Sequence, residues 1–242
     1  MNLIVCKTPA EAAAKAAQFV IERVNAKLAI VLGLPTGGTP LGMYAELAKA
    51  AREKRVDFSR ATTFNLDEYC GLPADDPQSY REFMRVNFYD PCGLSPAKTR
   101  IPDGLAADPG AEALAYENAI RAAGGIDLQV LGIGHNGHIG FNEPGTPENS
   151  RTHAVEISER TRQANARFFE SMDDVPARAI TMGIRTIMES REILLLANGS
   201  DKARIIAAAL RGPVTSENPA SFLQQHPRLT VVLDAAAGCF VA

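Results

Sequence analysis

The order of apolar and polar positions predicts strands and helices that alternate along the whole chain. Apolar runs with strand character are separated by alanine-rich stretches in which apolar residues recur at helical spacing. The predicted strands span residues 3–6, 28–34, 61–66, 126–133, 192–197 and 229–233, and the clearest helices span 11–24 and about 41–52. This alternation predicts an α/β fold of the Rossmann-like, doubly wound kind, with a mostly parallel sheet and helices on both faces.

The same pattern indicates one domain over residues 1–242. The sequence shows no internal repeat, low-complexity tract or linker, and residues 143–175 are a candidate lid segment. In doubly wound sheets, ligands bind beyond the carboxyl ends of the strands. The residues that directly follow each predicted strand are therefore the first candidates for chemistry.

Composition and charge limit the classes of partner that the protein can bind and the cellular compartment in which it is expected. The net charge of −3 gives no electrostatic basis for binding nucleic acid or an anionic membrane. The four cysteines are scattered and form no CxxC pair, which favours free thiols in a reducing cytosol. No apolar run approaches the roughly 18 residues that a membrane-spanning helix needs. We expect a soluble, cytoplasmic protein.

A glycine turn follows the predicted strand 28–34. Gly37 and Gly38 allow unusual backbone angles, and Thr36 and Thr39 place hydroxyl groups beside the N–H groups that open the next helix. These features favour an anion cradle for a phosphate group. The alternative is an ordinary tight turn.

Two adjacent acids follow the predicted strand 61–66. In an extended segment only one of Asp67 and Glu68 can face the ligand crevice. A carboxylate that is partly desolvated there has a raised pKa and can act as a general base. The motif alone favours a helix N-cap or a solvated acid, and the general-base hypothesis depends on its position at the end of a strand.

The loop at 132–143 carries the densest group of polar side chains. It combines glycines with His135, Asn136, His138 and Glu143, and a histidine beside an acid and an amide can exchange a proton near neutral pH. The histidines and the acid are also nominal zinc ligands, but the HExxH spacing is missing. A purely structural glycine loop is a further alternative. We expect no metal at this loop.

Four cations are further candidates for a functional role. Arg160, Arg162 and Arg167 lie in a predicted helical segment at 158–169, and Lys202 follows the strand 192–197 at the start of another helix. Lys202 is placed to reach a phosphate held at 36–39. The alternative for each cation is a solvated surface charge.

Taken together, these stretches resemble the glucosamine-6-phosphate deaminase family, which shares its fold with 6-phosphogluconolactonase. The resemblance covers most of the chain through GLPTGGTP, FNLDEY, GHNGHIGFNEP, SRTH, TRQANARFF and LLLANGSDKA. It implies an aldose–ketose isomerisation coupled to deamination in amino-sugar catabolism. Glucosamine 6-phosphate and water would give fructose 6-phosphate and ammonia, without a cofactor.

The resemblance also implies roles for individual residues. Asp67 matches the base that moves a proton between C2 and C1, and His138 matches the group that opens the sugar ring. Glu143 and Asn136 match its supporting partners; because some relatives have Asp in place of Asn136, we expect a shifted pH optimum. The residues that match phosphate contacts are Thr36, Gly37, Gly38, Thr39, Arg167 and Lys202. Family members range from monomer to hexamer, which leaves homo-oligomer formation open.

Three rival functions remain. A lactonase of the same fold would keep the phosphate cradle and a loop histidine but would not need Asp67. A deaminase for another amino sugar phosphate would differ in a single hydroxyl contact, which the sequence does not fix. A non-catalytic sugar-phosphate sensor belongs to a different class, and such regulators carry a DNA-binding module for which this chain has no spare segment.

Overall fold

Two sheets organise the chain. The computed structural model describes residues 1–166, 169 and 171–241, apart from the side chains of residues 160 and 164. In chain order the strands are β1 (Asn2–Cys6), β2 (Val31–Leu34), β3 (Thr62–Asn65), β4 (Asp67–Tyr69), β5 (Thr99–Arg100), β6 (Leu128–Leu131), β7 (His153–Glu156), β8 (Arg178–Thr181), β9 (Ile193–Ala197) and β10 (Leu229–Asp234). Seven of these strands form a parallel sheet in the order β1-β10-β9-β6-β2-β3-β5.

Helices connect most of these strands. They are α1 (Pro9–Ala26), α2 (Leu41–Arg52), α3 (Tyr80–Met84), α4 (Asp90–Cys92), α5 (Pro109–Ala122), α6 (Glu159–Asn165), α7 (Ile184–Met188), α8 (Ala203–Arg211) and α9 (Ala235–Gly238). A π-helical turn at Arg85–Tyr89 joins α3 to α4, and short 3₁₀ turns span Pro96–Lys98, Ser200–Lys202 and Pro219–Gln225. Among the described residues, no helix has both the length and the apolar character required to cross a bilayer.

The helices cover both faces of the parallel sheet, as predicted. Successive strand residues point to opposite faces, so Val31 and Leu32 enter two different apolar clusters. Helices α1 and α2 supply one cluster, while α5 and α8 supply the other. The continuous apolar runs of β2, β6, β9 and β10 follow from this double cover, since every residue of these inner strands is buried.

The clearest predicted helix, 11–24, is confirmed and is slightly longer as α1. The Thr8 hydroxyl accepts the N–H of Glu11, and Pro9 occupies the first turn, where its missing N–H costs nothing. Ala16, Val20 and other small apolar side chains form the buried face. The predicted strand 28–34 begins later, at Val31, where the Asp127 carboxylate accepts the Val31 N–H at 2.8 Å.

The alternating pattern does not predict the second sheet. It has three antiparallel strands in the order β4-β8-β7, each only three or four residues long. The N–H of Met182, which follows β8, donates to the carbonyl of Leu66 just after β3, so this sheet lies at the carboxyl end of the parallel sheet. The first part of the predicted lid segment contributes β7. The single domain and the lid assignment stay predictions.

Candidate active site

Four chain segments converge because their preceding strands are neighbours. Strands β9, β6, β2 and β3 are adjacent in the parallel sheet. Their carboxyl ends lead into residues 198–202, 132–143, 35–40 and 66–67 respectively. The sheet order thus brings all the loops with candidate chemistry to one edge. Adjacent parallel strands lie about 5 Å apart, so each of these loops is close enough to its neighbour for one ligand to contact both.

Asp67 lies in the second sheet, not at the tip of β3 as the sequence suggested. The ladder of β3 ends at Asn65, and Asp67 is the first residue of β4, paired with Thr181. Its side chain is only 6% exposed, and no described residue donates a hydrogen bond to the carboxylate. Burial, and to a smaller extent the charge of Glu68, raises the pKa of Asp67 to about 8.

Glu68 points to the opposite side of β4 and has a structural role. Its carboxylate accepts the backbone N–H groups of Tyr69, Tyr80 and Arg81, each at 2.9 Å. Burial raises the pKa of Glu68 despite these three hydrogen bonds. Glu68 therefore anchors α3 to β4, and strand alternation leaves Asp67 facing the crevice.

Aromatic packing joins β4 to the histidine loop. The rings of Tyr69 and Phe141 lie 5.7 Å apart, and the Tyr80 ring stacks on Phe141 at 6.2 Å. Phe141 lies three residues after His138. These ring contacts hold the histidine loop in a fixed position relative to β4 and therefore to Asp67.

Glycines in the histidine loop leave room for functional side chains. A Cβ on Gly134 would lie 2.2 Å from the His138 ring, and the Gly134 N–H donates to the His138 carbonyl at 2.9 Å. Gly137 has φ +89°, and a Cβ there would meet the amide oxygen of Asn218 at 2.1 Å. Both positions therefore require glycine, one for the imidazole and one for the turn.

His138, Glu143 and Asn136 form one connected group. His138 Nδ1 lies 3.7 Å from Glu143 Oε1, and the Asn136 amide donates to Glu143 Oε2 at 2.5 Å. Burial tends to raise the pKa of Glu143, but His138, Thr161 and Asn136 outweigh it and lower that pKa to about 2. Glu143 is consequently an ionised partner for the imidazole at any pH above about 4.

The two loop histidines face different carboxylates. His135 Nε2 contacts Asp201 Oδ2 at 2.7 Å on the surface, whereas His138 faces Glu143 in the crevice. Within the described residues, no three His, Cys, Asp or Glu side chains are grouped so that they could hold a metal ion. The two histidines therefore belong to two separate acid–histidine pairs.

The glycine turn presents backbone donors to the crevice. Gly37 has φ +96°, and the N–H groups of Gly37, Gly38 and Thr39 have no acceptor among the described residues. A Cβ on either glycine would meet no atom within 4 Å, so the space in front of them is open. Three adjacent donors before α2 make a cradle suited to a phosphate group.

The candidate cations differ in position and in hydrogen bonding. Lys202 ends the 3₁₀ turn Ser200–Lys202, two strands away from the glycine turn in the sheet order. Arg167 lies outside the described residues. Arg162, another basic residue of that segment, donates to the carbonyls of Met172 and Val175 and so stabilises a turn.

Sequence reasoning missed several groups at this site. The hydroxyls of Thr161 and Ser158 contact Glu143, and Gly140 lies against Asp67. The serine three residues before the threonine has the spacing of a helix N-cap, but nothing in that local pattern points to Glu143. Only the folded chain brings these groups together.

The sequence is similar to those of known proteins over nearly its whole length. A family model described as glucosamine-6-phosphate isomerases/6-phosphogluconolactonase matches residues 7–232. A glucosamine-6-phosphate deaminase of Halothermothrix orenii is 51% identical over 98% of both chains. One of Shouchella clausii is 52% identical over 98% of this chain and 96% of its own.

Solved structures give the same picture. A monomeric glucosamine-6-phosphate deaminase has a TM-score of 0.97 and 45% identity, covering 99% of this chain and 100% of its own. A 6-phosphogluconolactonase from Trypanosoma cruzi has a TM-score of 0.78 at 20% identity, covering 100% of this chain and 97% of its own. At that identity the lactonase shares the fold alone.

Proposed function

The chain belongs to the family of glucosamine-6-phosphate isomerases and 6-phosphogluconolactonases, and we propose that it acts as a glucosamine-6-phosphate deaminase. It converts glucosamine 6-phosphate and water to fructose 6-phosphate and ammonia. The observation that carries this proposal is the buried Asp67 carboxylate, whose pKa is raised to about 8 at the edge of the sheet where the candidate loops meet.

Asp67 has the properties of the base for the carbon-bound proton. The hydrogen on C2 of the open-chain sugar is weakly acidic because the neighbouring C1 is a carbonyl carbon. A carboxylate with a pKa near neutrality is a stronger base than an ordinary aspartate and can also return the proton to C1. The lack of a hydrogen-bond donor to Asp67 among the described residues leaves its oxygens available to the substrate.

His138 supplies a second and separate proton transfer. Opening the pyranose ring moves a proton from the O1 hydroxyl to the ring oxygen, and an imidazole can accept and donate in turn. Ionised Glu143, 3.7 Å from His138 Nδ1, stabilises the charge that appears on the ring during this exchange. Asn136 holds Glu143 in place.

Phosphate binding positions the sugar for both steps. The N–H groups of Gly37, Gly38 and Thr39, with the hydroxyls of Thr36 and Thr39, hold the phosphate at one end of the crevice. Lys202 and Arg167 add positive charge. The phosphate does no chemistry; its binding energy fixes C1 and C2 against Asp67.

The physiological setting is part of the same proposal. The reaction belongs to the breakdown of amino sugars, including N-acetylglucosamine, in the cytoplasm, where the four free cysteines would stay reduced. The match to a monomeric deaminase supports a monomer as the active form. Light scattering of the purified protein measures this, and a stable oligomer would contradict it.

An ammonia-release assay tests the proposed function. Purified protein is mixed with glucosamine 6-phosphate, and ammonia and fructose 6-phosphate are measured separately; we expect both in equal amounts. The galacto epimer and 6-phosphogluconolactone are run in parallel. Hydrolysis of the lactone without ammonia release would assign the lactonase activity instead, and preference for the galacto epimer would change the substrate.

A further inference from the structure

Two hydroxyl groups of the α6 region contact the carboxylate that faces His138. The Thr161 hydroxyl donates a short hydrogen bond to Glu143 Oε1, and Ser158 Oγ lies 3.2 Å from the same oxygen. His138 Nδ1 lies 3.7 Å from that oxygen and, although buried, has no hydrogen-bond partner among the described residues. Glu143 Oε1 therefore accepts hydrogen bonds from the α6 region, whereas the imidazole nitrogen lies beyond hydrogen-bond distance.

The Thr161 hydroxyl is not needed to cap the helix. Ser158 is the N-cap of α6, and its oxygen accepts the Thr161 N–H at 3.2 Å. The Thr161 side chain adds nothing to that cap and instead contacts Glu143, 18 positions earlier in the chain. Thr161 is only 8% exposed, so water does not readily replace this contact.

The opposite end of α6 touches the strand that carries Asp67. The Asn165 amide donates to the Tyr69 hydroxyl at 2.9 Å, and Tyr69 is the last residue of β4. Helix α6 thus contacts a residue beside each proposed proton-transfer group. Thr161 in its first turn contacts Glu143, which faces His138, and its last residue, Asn165, contacts Tyr69, which lies in the same strand as Asp67. A shift of this helix would be felt by both.

We propose that Thr161 is a positioning residue, which holds Glu143 at the distance from His138 that proton transfer during ring opening requires. This inference rests on the proposed function. Asn136 fixes Oε2 and Thr161 fixes Oε1, with Ser158 as a second contact, so the carboxylate cannot rotate. Proton transfer is sensitive to displacements of about 1 Å, so a rotated carboxylate would slow the reaction without weakening sugar binding.

Replacement of the hydroxyl alone tests the role of Thr161. Thr161→Val keeps the shape of the side chain and removes the donor, and we expect kcat to fall on the order of tenfold with KM within about twofold of wild type. Thr161→Ser keeps the donor and should restore most of the lost kcat. Equal defects in the two variants, or a loss confined to KM, would overturn the proposal.

Thr186 provides a matched control. Its hydroxyl donates a short hydrogen bond to the carboxylate of Glu117, and Thr186 is buried as Thr161 is, but this pair lies on α7 and α5. Thr186→Val removes the same kind of bond, so its effect on thermal stability should resemble that of Thr161→Val while kcat stays unchanged. An equal kcat loss in both variants would mean that Thr161 acts through general stability.

A double-mutant cycle shows whether Thr161 acts through Glu143. If it does, Thr161→Val should lower kcat by less than about twofold in the Glu143→Gln variant. The same factor in both backgrounds would refute the coupling. Failure of the proposed function is distinguishable, because wild-type protein would then release no ammonia and no ratio of variant to wild type could be formed.

Discussion

The carboxylate of Asp67 lies directly against the backbone of Gly140. A Cβ added to Gly140 would sit 3.4 Å from Asp67 Oδ2 and 2.8 Å from Thr181 Oγ1, and Gly140 has φ +58°. The histidine loop therefore lies beside the proposed base, and the Thr181 hydroxyl leaves no room for a side chain at Gly140. The absence of a side chain at Gly140 lets the two proposed proton-transfer groups occupy one crevice.

Gly140→Ala should therefore impair both stability and catalysis. The new methyl group must displace the hydroxyl of Thr181, the residue that pairs with Asp67 across β8 and β4, so we expect a loss of about 2 kcal/mol in the free energy of unfolding and at least tenfold in kcat. Gly145→Ala is the matched control, because Gly145 also has positive φ but a Cβ there meets no atom within 4 Å. It should lose about 1 kcal/mol and keep its kcat. Equal kcat values for the two variants would contradict the prediction.

The raised pKa of Asp67 predicts how stability changes with pH. The folded protein holds a proton on Asp67 up to about pH 8, whereas the unfolded chain releases it near pH 4. Because the folded state binds more protons between these values, the free energy of unfolding falls as pH rises from 4 to 8. Asp67→Asn removes this effect, so its stability relative to wild type should increase from pH 5 to pH 8.

Urea unfolding at both pH values measures this difference. Glu189→Gln serves as the control, because its arginine partners, first Arg151 and then Arg185, lower the pKa of Glu189 and its stabilising effect is lost only as the pH falls below the ordinary glutamate range. Its stability relative to wild type should therefore stay constant between pH 5 and pH 8. A constant difference for Asp67→Asn as well would show that Asp67 titrates normally in the folded protein.

Asn136→Asp should move the pH dependence of kcat/KM toward higher pH. The Asn136 amide donates to Glu143 Oε2 at 2.5 Å, and an aspartate there would place a second negative charge against Glu143. An added negative charge favours the protonated forms of the groups around it. The test is kcat/KM measured from pH 5 to pH 10 for wild type and variant. Superimposable profiles would show that the amide is not coupled to the catalytic groups.

Lys202→Ala should weaken substrate binding more than turnover. If Lys202 contacts the phosphate equally in the ground and transition states, its loss raises KM by about tenfold and leaves kcat within about threefold. Lys27 pairs with Asp127 before β2, at the opposite end of the strand, so Lys27→Ala removes the same charge without reaching the crevice. A similar KM in both variants would remove Lys202 from the phosphate site.

The parallel sheet and the location of the site could be predicted because both follow from local patterns. Apolar runs mark buried strands, and glycines with polar neighbours mark the loops that follow them. The strand after Asn65 could not be predicted in this way, because β4 is three residues long and exists through pairing with β8, more than a hundred positions later. Short strands formed by distant partners leave almost no periodic signal.

The role of Glu68 shows a second limit. Its sequence position beside Asp67 made the two acids equivalent, and only the backbone N–H groups of Tyr80 and Arg81 assign Glu68 to structure. The Thr161–Glu143 contact could not be predicted from the sequence either, because it joins two segments that meet only in the folded chain. Such contacts depend on where a helix packs, which local propensity does not determine.

The central claim is that Asp67 removes the proton from C2 of the sugar. The most direct test follows a deuterium placed at C2 of glucosamine 6-phosphate, in wild type and in Asp67→Asn, with substrate-analogue binding measured in both. We predict that wild type removes the deuterium from C2 in every turnover with a primary isotope effect, and that Asp67→Asn binds the analogue but removes it about a thousandfold more slowly. Removal of the deuterium by Asp67→Asn at the wild-type rate would contradict the account.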